Sequence, residues 1–270
     1  MDGPDFASRR ATGWPAMKID CLMGTYGRYR LVCESLACFL QQTALSQATL
    51  LIYNQHPVPL RFDHPQVRIV NEAREFGSLR EVRKRMHDLA APSADFLHWW
   101  DDDDLYLPWH LDDCLKNIAG HLAWKPERSW VSERNVKYAL RKSNFEGSWM
   151  GRADYIRSAP IETHAEYTDH PVFLQLTNAR LLATTELGGR TSYIYRWDTG
   201  TQHLSGYGGA GTAERQQANI SSWRRNSLDV RAEGVLVPAD MTLRWQQYLR
   251  GTKDLVTADE WEANRHALGL

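Results

Sequence analysis

The first hundred residues alternate short apolar runs with amphipathic stretches, and this alternation restricts the fold more than any other feature. Ile19, Cys21, Leu22 and Met23 form an apolar run stopped by Gly24-Thr25-Tyr26-Gly27, the pattern of a buried strand and a turn. From Arg28 to Gln42, residues Leu31, Val32, Ser35, Leu36 and Phe39 fall at spacings that line one face of a helix. Thr49–Tyr53 and Val67–Val70 read as a second and third strand. Ser78 to Ala90 is basic on one side and carries Leu79, Val82, Met86 and Leu89 on the other, so a helix is expected there. Phe96–Trp100 (FLHWW) is a fourth strand. The order strand–helix–strand–strand–helix–strand argues for an α/β domain with a mostly parallel sheet. In such sheets the ligand site lies beyond the carboxyl ends of the strands. Two turns at such ends have unusual chemistry: Gly24–Arg28 and Asp101–Asp104.

The second half has a different texture. Trp130–Val131 and Val136–Leu140 suggest a hairpin around Glu133-Arg134-Asn135. Pro171–Leu176 has the form of a helix start, since proline is tolerated in a first turn. Leu181–Thr184 and Ser192–Trp197 are expected strands, and Thr257-Ala258-Asp259-Glu260 forms a capping box opening a last helix. Residues 1–16, rich in Gly, Pro, Ala, Arg and Asp, read as a flexible arm. The expected layout is therefore an arm over 1–16 and one domain over 17–205, with a ligand-binding half over 17–108 and a mixed half over 109–205. A glycine-rich loop and a helical extension follow over 206–270. Gly206–Gly211 formally fits G-x-G-x-x-G, but it does not follow a strand within a short βαβ unit. A loop that closes over a bound ligand suits it better.

Composition narrows the function classes. A chain of 270 residues is long enough to bury a full core without disulfide staples. Lys+Arg at 32 against Asp+Glu at 33 leaves no global field to hold nucleic acid or an anionic membrane. No apolar run approaches a membrane span, and the N-terminus lacks the apolar region of a signal peptide. The cysteines at 21, 33, 38 and 114 include no C-x-x-C pair, so a zinc knuckle is not indicated. A reducing, cytoplasmic location is expected. Eleven tryptophans are costly to place, and serve either as core or as sugar and base platforms.

The strongest chemical signal is Trp99-Trp100-Asp101-Asp102-Asp103-Asp104-Leu105-Tyr106-Leu107-Pro108. Four adjacent carboxylates raise one another's pKa, and the preceding FLHWW strand anchors them. Mg²⁺ or Mn²⁺ would relieve the repulsion, using one or two carboxylates and completing its shell with water and substrate phosphates. An acidic loop at a helix N-terminus, favoured by the helix dipole, is the plainer alternative.

With these residues the chain resembles the GT-A nucleotide-sugar glycosyltransferases of the family-2 type. Their pattern is an apolar strand, Asp-x-Asp-Asp, three residues and Pro, and Asp101, Asp103, Asp104 and Pro108 match in register. The turn Gly24-Thr25-Tyr26-Gly27-Arg28 stands where the family has Pro-Thr-Tyr-Asn-Arg. Gly24 replaces the usual Pro and Gly27 the usual Asn. Asn54 stands where relatives keep an acidic residue that holds uracil. The resemblance implies a GT-A (Rossmann-like) α/β fold, a mostly parallel sheet flanked by helices, with a mixed acceptor-side half. It implies a UDP-sugar donor held by Thr25, Tyr26, Arg28, Asn54 and Arg80, with Asp101 and Asp102 touching ribose or sugar. Mn²⁺ or Mg²⁺ would sit on Asp103 with His203.

Downstream, Gly147-Ser148-Trp149 resembles the family's small-residue acceptor segment. Thr168-Asp169-His170 resembles its Glu-Asp pair, with Thr for Glu. The resemblance makes Asp169 the general base of an inverting transfer. A carboxylate at a helix start beside a histidine could also be an N-cap. Tyr195-Arg196-Trp197 and His203-Leu204-Ser205 resemble a later family stretch. The acceptor is expected to carry a hydroxyl, on a glycan, a lipid-linked sugar, a protein, a small molecule or a hydroxymethylated DNA base. Arg80, Arg83, Lys84 and Arg85, with Arg215, Arg224, Arg225 and Arg231, would suit a DNA acceptor, or simply form solvated faces. A nucleotidyltransferase using the same Asp run, or a binding module without turnover, are the competing classes. The first lacks its Gly-rich, Lys-containing phosphate loop.

Overall fold

The computed structural model describes residues 17–74, 79–118, 120–133, 137–143, 145–158, 182–185, 191–196 and 233–239, with Ala258 and Glu262. Strand β1 (Ile19–Thr25) leads into helix α1 (Tyr29–Leu40), then β2 (Ala48–Asn54), β3 (Val67–Asn71), α2 (Leu79–Leu89) and β4 (Phe96–Trp99). These are the six elements expected from the sequence. A second group follows: β5 (Leu105–Tyr106), α3 (His110–Asn117), β6 (Ala123–Pro126), β7 (Arg128–Glu133), β8 (Lys137–Lys142), β9 (Met150–Arg152), α4 (Ala153–Ser158), β10 (Leu182–Thr185) and β11 (Tyr193–Arg196).

Seven strands form the main sheet in the order β10-β6-β9-β4-β1-β2-β3. β1 runs parallel to β2 and β4, β2 to β3, and β6 to β10, while β9 is antiparallel to both neighbours. The first half supplies one continuous parallel block because each of its strands returns through a crossover, as parallel pairing demands. A smaller sheet, β5-β11-β7-β8, stands beside it. The expected hairpin is present, with Arg128 paired to Lys142 and Glu133 to Lys137.

Period-two alternation sorts the core. Cys21, Met23, Leu50, Ile52, Phe96 and Trp100 join the cluster that includes residues of α1 and α3. Leu22, Leu51, Tyr53, Leu97 and Trp99 join the cluster that includes residues of α2 and α4. Adjacent tryptophans therefore serve opposite faces, which is why FLHWW is buried throughout. Trp99, Trp100, Trp124, Trp130 and Trp149 are all fully buried. Of the two expected uses for tryptophan, these five fill the core.

Two expectations change. Helices α3 and α4 and strands β5, β6 and β9 have no counterpart in the sequence reading. Residues 233–239 return to the first half: Leu236 N donates to Arg61 O at 2.9 Å and Ala239 N to Cys33 O at 3.1 Å. Part of the stretch read as an extension is thus strapped onto the sheet domain. The arm over 1–16, the Pro171–Leu176 helix and the Gly206–Gly211 loop lie outside the described residues, as does most of the last helix, where Ala258 and Glu262 are helical. No helix among the described residues is long and apolar enough to cross a membrane.

His87, on α2, illustrates the cost of this packing. It is buried against Trp99, with ring centroids 5.9 Å apart. Burial, followed by the nearby Arg83 charge, lowers its pKa to about 4. A histidine lowered on folding contributes stability above its unfolded pKa of about 6.5, lost as pH falls toward the folded value. Urea titrations from pH 7.5 to 4.5 should show wild type losing up to about 1.4 kcal/mol per pH unit more than His87→Gln. Parallel curves would refute the assignment.

Candidate functional site

The Asp run leaves the carboxyl end of β4 and is gripped from several sides. Asp101 N donates to Tyr106 Oη at 2.7 Å, and Asp101 O accepts from Ser35 Oγ at 3.0 Å. Ser35 in turn accepts from Trp100 Nε1 at 2.9 Å, and Trp100 stacks on Tyr106 with centroids 3.7 Å apart. The buried tryptophan thus fixes the backbone from which the carboxylates project.

Every carboxylate of the run is partnered. Arg28, at the start of α1, forks across two of them: its Nε donates to Asp102 Oδ2 at 3.0 Å, its Nη2 to Asp102 Oδ1, and its Nη1 to Asp103 Oδ2 at 2.8 Å. Arg83 Nη2, on α2, donates to Asp101 Oδ1 at 2.7 Å. Asp104 accepts from the Tyr193 hydroxyl and from Arg196 N, the latter at 2.9 Å. Arg196 also donates to Asp103 O through Nε and to Glu34 Oε2 through Nη1, the latter at 2.6 Å. Burial pushes the Asp102 carboxyl up to about 7, against the opposing pull of Arg28. Burial and the Asp103 charge push Asp104 well up.

The four are unequally open. The Asp102 side chain is 1% exposed and Asp103 8%, whereas Asp101 is 30% exposed. Asp101 and Asp103 are thus the more accessible of the run, at i and i+2, while Asp102 and Asp104 are fully enclosed. Two hard oxygen donors of that kind fit Mg²⁺ or Mn²⁺, which bind through one or two carboxylates.

The turn after β1 lies beside the run. Gly27 has φ of +63°, a left-handed conformation that glycine and asparagine both adopt most readily. Its exchange for the family's Asn therefore keeps the turn. Thr25 is buried beside the run with its hydroxyl unpartnered, and Tyr26 meets His56 edge-on at 5.2 Å. A recess at this point is lined by Thr25, Gly27, Arg28, Asn54, His56 and Leu60, among others. Asn54, expected at a base edge, spends its carboxamide on the protein. Its Nδ2 lies 2.9 Å from Val58 O and Asn71 Oδ1 and 3.3 Å from His56 O, and its Oδ1 accepts from His56 N at 3.1 Å. It shapes the loop that walls the recess.

The Gly147-Ser148-Trp149 segment closes against the run. A Cβ on Gly147 would lie 2.5 Å from Asp101 Oδ2 and 3.0 Å from Tyr193 Oη, so only glycine lets the two segments touch. Ser148 is buried in a hydroxyl chain with Ser143, at 3.2 Å, and Trp149 packs on Trp99 at 4.9 Å. Asp169 and His203 lie outside the described residues. Arg80 falls in the first turn of α2, and its side chain is also outside them.

Sequence reasoning missed Arg83, Tyr193 and Glu34, and gave Arg196 no role. Arg83 belonged to the basic cluster considered for phosphate contact, yet it pairs with Asp101. Within the same cluster, Arg85 pairs with Glu72 at 2.7 Å and Lys84 with Asp88 at 3.0 Å. These three cations are matched within the protein rather than arrayed for a polyanion. The second basic cluster lies outside the described residues.

No protein-family model and no curated protein matches the chain. Solved structures do. Residues 1–349 of S. aureus TarS superpose with a TM-score of 0.51 at 12% identity, covering 92% of this chain and 83% of that one. The same protein in complex with UDP gives 0.52 at 13% identity, covering 94% and 79%. Its complex with UDP-GlcNAc gives 0.51 at 12%, covering 92% and 84%. The fold is that of the GT-A glycosyltransferases. Within it, the Asp run and the turn after β1 occupy the carboxyl-end crevice that open α/β sheets use for ligands.

Two substitutions test this construction. Arg28→Met leaves two buried carboxylates without their guanidinium and should cost about 3–5 kcal/mol. Gly147→Ala forces the Asp101 carboxylate off Arg83 and should cost about 1–3 kcal/mol. Chemical denaturation at pH 7.5 measures both. Unchanged midpoints would mean that neither contact holds the site together.

Proposed function

We propose that this chain is a metal-dependent, inverting glycosyltransferase that moves a sugar from a UDP-sugar to an acceptor hydroxyl. The carrying observation is the Asp run at the end of β4, facing the turn after β1, in a GT-A fold. The similar S. aureus TarS has been solved with UDP and with UDP-GlcNAc bound, which supports the same donor class here.

In this reading the nucleotide docks over the β1 turn and the loop after Asn54. Thr25, Tyr26 and Arg80 contact it, and Asn54 acts by holding that loop. Arg28 sets the spacing of Asp102 and Asp103. Asp101, the most open of the four, faces ribose or sugar and is oriented by Arg83. Mn²⁺ or Mg²⁺ would be held by Asp103, with Asp101 and His203 as further donors, and supplies Lewis-acid stabilisation of the departing diphosphate. Gly147, Ser148 and Trp149 wall the acceptor side, where the absence of a side chain at Gly147 leaves the Asp101 carboxylate in place. Asp169 takes the proton from the acceptor hydroxyl as the hydroxyl attacks the anomeric carbon.

Calorimetric titration of UDP with Mn²⁺, and again with EDTA, tests the donor half. Binding is expected only with the cation and should weaken at least about tenfold, some 1.4 kcal/mol, in Asp103→Asn. Asp169→Asn should keep UDP affinity while losing transfer. Equal UDP binding in EDTA would overturn the metal assignment. Release of pyrophosphate from a nucleoside triphosphate, in place of UDP from a sugar donor, would move the chain to the nucleotidyltransferases.

A further inference from the structure

Beneath the Asp run, on the α1–α3 face of the sheet, lies a second cluster that the donor chemistry does not use. His98 on β4 and His110 and Cys114 on α3 bring ligand atoms to within 4.8 Å of one another, and all three are fully buried. His98 Nε2 lies 2.7 Å from His110 Nε2, and Cys114 Sγ 3.8 Å from the same nitrogen. We propose that these residues, with Cys21 as fourth ligand, form a structural site for a borderline-soft divalent cation of the zinc type.

Geometry supplies the first argument. His110 and Cys114 are at i and i+4, so one turn of α3 presents both on one face. β4 lies under that face and offers His98. Cys21 is the register partner of His98 on β1, and paired positions share a side of the sheet. Cys21 is fully buried in the same core cluster as Cys114, beside the group of three, and its side chain would turn toward them to complete the set. Zinc–nitrogen and zinc–sulfur bonds of about 2.0 and 2.3 Å give tetrahedral edges of about 3.3 Å for N···N and about 3.6 Å for N···S. The nitrogen pair, at 2.7 Å, is closer than its edge and the sulfur, at 3.8 Å, slightly farther than its own, so the two rings would have to part to admit the ion.

Donor chemistry supplies the second. Both rings are fully buried, and a neutral imidazole is the form that ligates. His110 Nδ1 lies 2.9 Å from Ser192 Oγ. This outer partner turns Nε2 toward the cluster, as second partners of metal-bound histidines do. Two thiolates and two neutral imidazoles around a dication sum to zero charge. A single thiolate would leave a net positive charge among Trp100, Tyr106, Trp124 and Tyr193, a costly placement in an apolar core. Charge balance therefore calls for the second cysteine. N and S donors select zinc-type ions over the Mg²⁺ or Mn²⁺ suited to carboxylates. The enclosed position implies loading during folding.

The inference is independent of the glycosyltransferase reading and separable by experiment. The full chain is unfolded with chelator, then refolded with Zn²⁺, with Co²⁺ or with neither, and dialysed against EDTA. Metal per chain and the Co²⁺ absorption spectrum are measured. The expected result is about one EDTA-resistant ion per chain, with an intense tetrahedral spectrum and a thiolate-to-cobalt charge-transfer band. Asp103→Asn should retain the band, while Cys114→Ser and His98→Gln should lose it. Should those variants fail to fold, wild type decides alone. Refolding to the same circular dichroism without retained metal would overturn the proposal, leaving a hydrogen-bonded histidine pair. Retained Co²⁺ without the charge-transfer band, or retention abolished by Asp103→Asn, would also overturn it by placing the ion on the carboxylates.

Discussion

The Arg28 guanidinium lying across Asp102 and Asp103 is the interaction on which the rest of the site depends. Desolvating several adjacent carboxylates is prohibitive unless each finds a compensating donor. The chain meets that cost with cations and donors drawn from α1, α2 and β11. Arg28 comes from the first helix, Arg83 from the second, and Tyr193 and Arg196 from the last described strand of the small sheet. None of these contacts is local. The acidic loop therefore takes its observed form only when both sheets and the two helices are in place, and its geometry reports the completed fold.

This explains which parts of the molecule were legible in the sequence. The alternation of apolar runs gave β1, α1, β2, β3, α2 and β4, because each is long enough to show its period. The Asp run and the β1 turn were legible as chemistry because their residues are contiguous. Arg83 was visible as a basic residue, but its partner lies 18 positions away on another element. Glu34 and Arg196 are separated by 162 positions, and no spacing rule reaches that far. The two-residue strand β5 and three-residue strand β9 carry too few residues to show a period at all.

Asn54 and Gly27 show how a departure from a family pattern can be conservative in one sense and not in another. Gly27 preserves a backbone conformation, since what the turn needs is a positive φ. Asn54 exchanges a charge for an amide, and the amide is used by the loop itself, reaching Val58 and Asn71. The first change leaves the shape of the recess alone. The second leaves its wall without a fixed negative charge and with the backbone groups of His56 and Val58 engaged inside the loop.

The two halves of the domain are joined at the point where chemistry would occur. β5, only two residues long, leaves the Asp run and pairs with β11, which carries Tyr193 and Arg196 back to Asp104. On the other side, Gly147 approaches Asp101 closely enough to exclude any side chain. The carboxylates are thus shared by the first half of the domain and the segments that follow it. A rearrangement of either half has to pass through them, because tightly packed segments shift as units and do not deform continuously. Arg28, which lines the recess beside Thr25, grips Asp102 and Asp103, and Asp101 in the same run faces Gly147, so one short stretch of chain links the recess to the glycine segment.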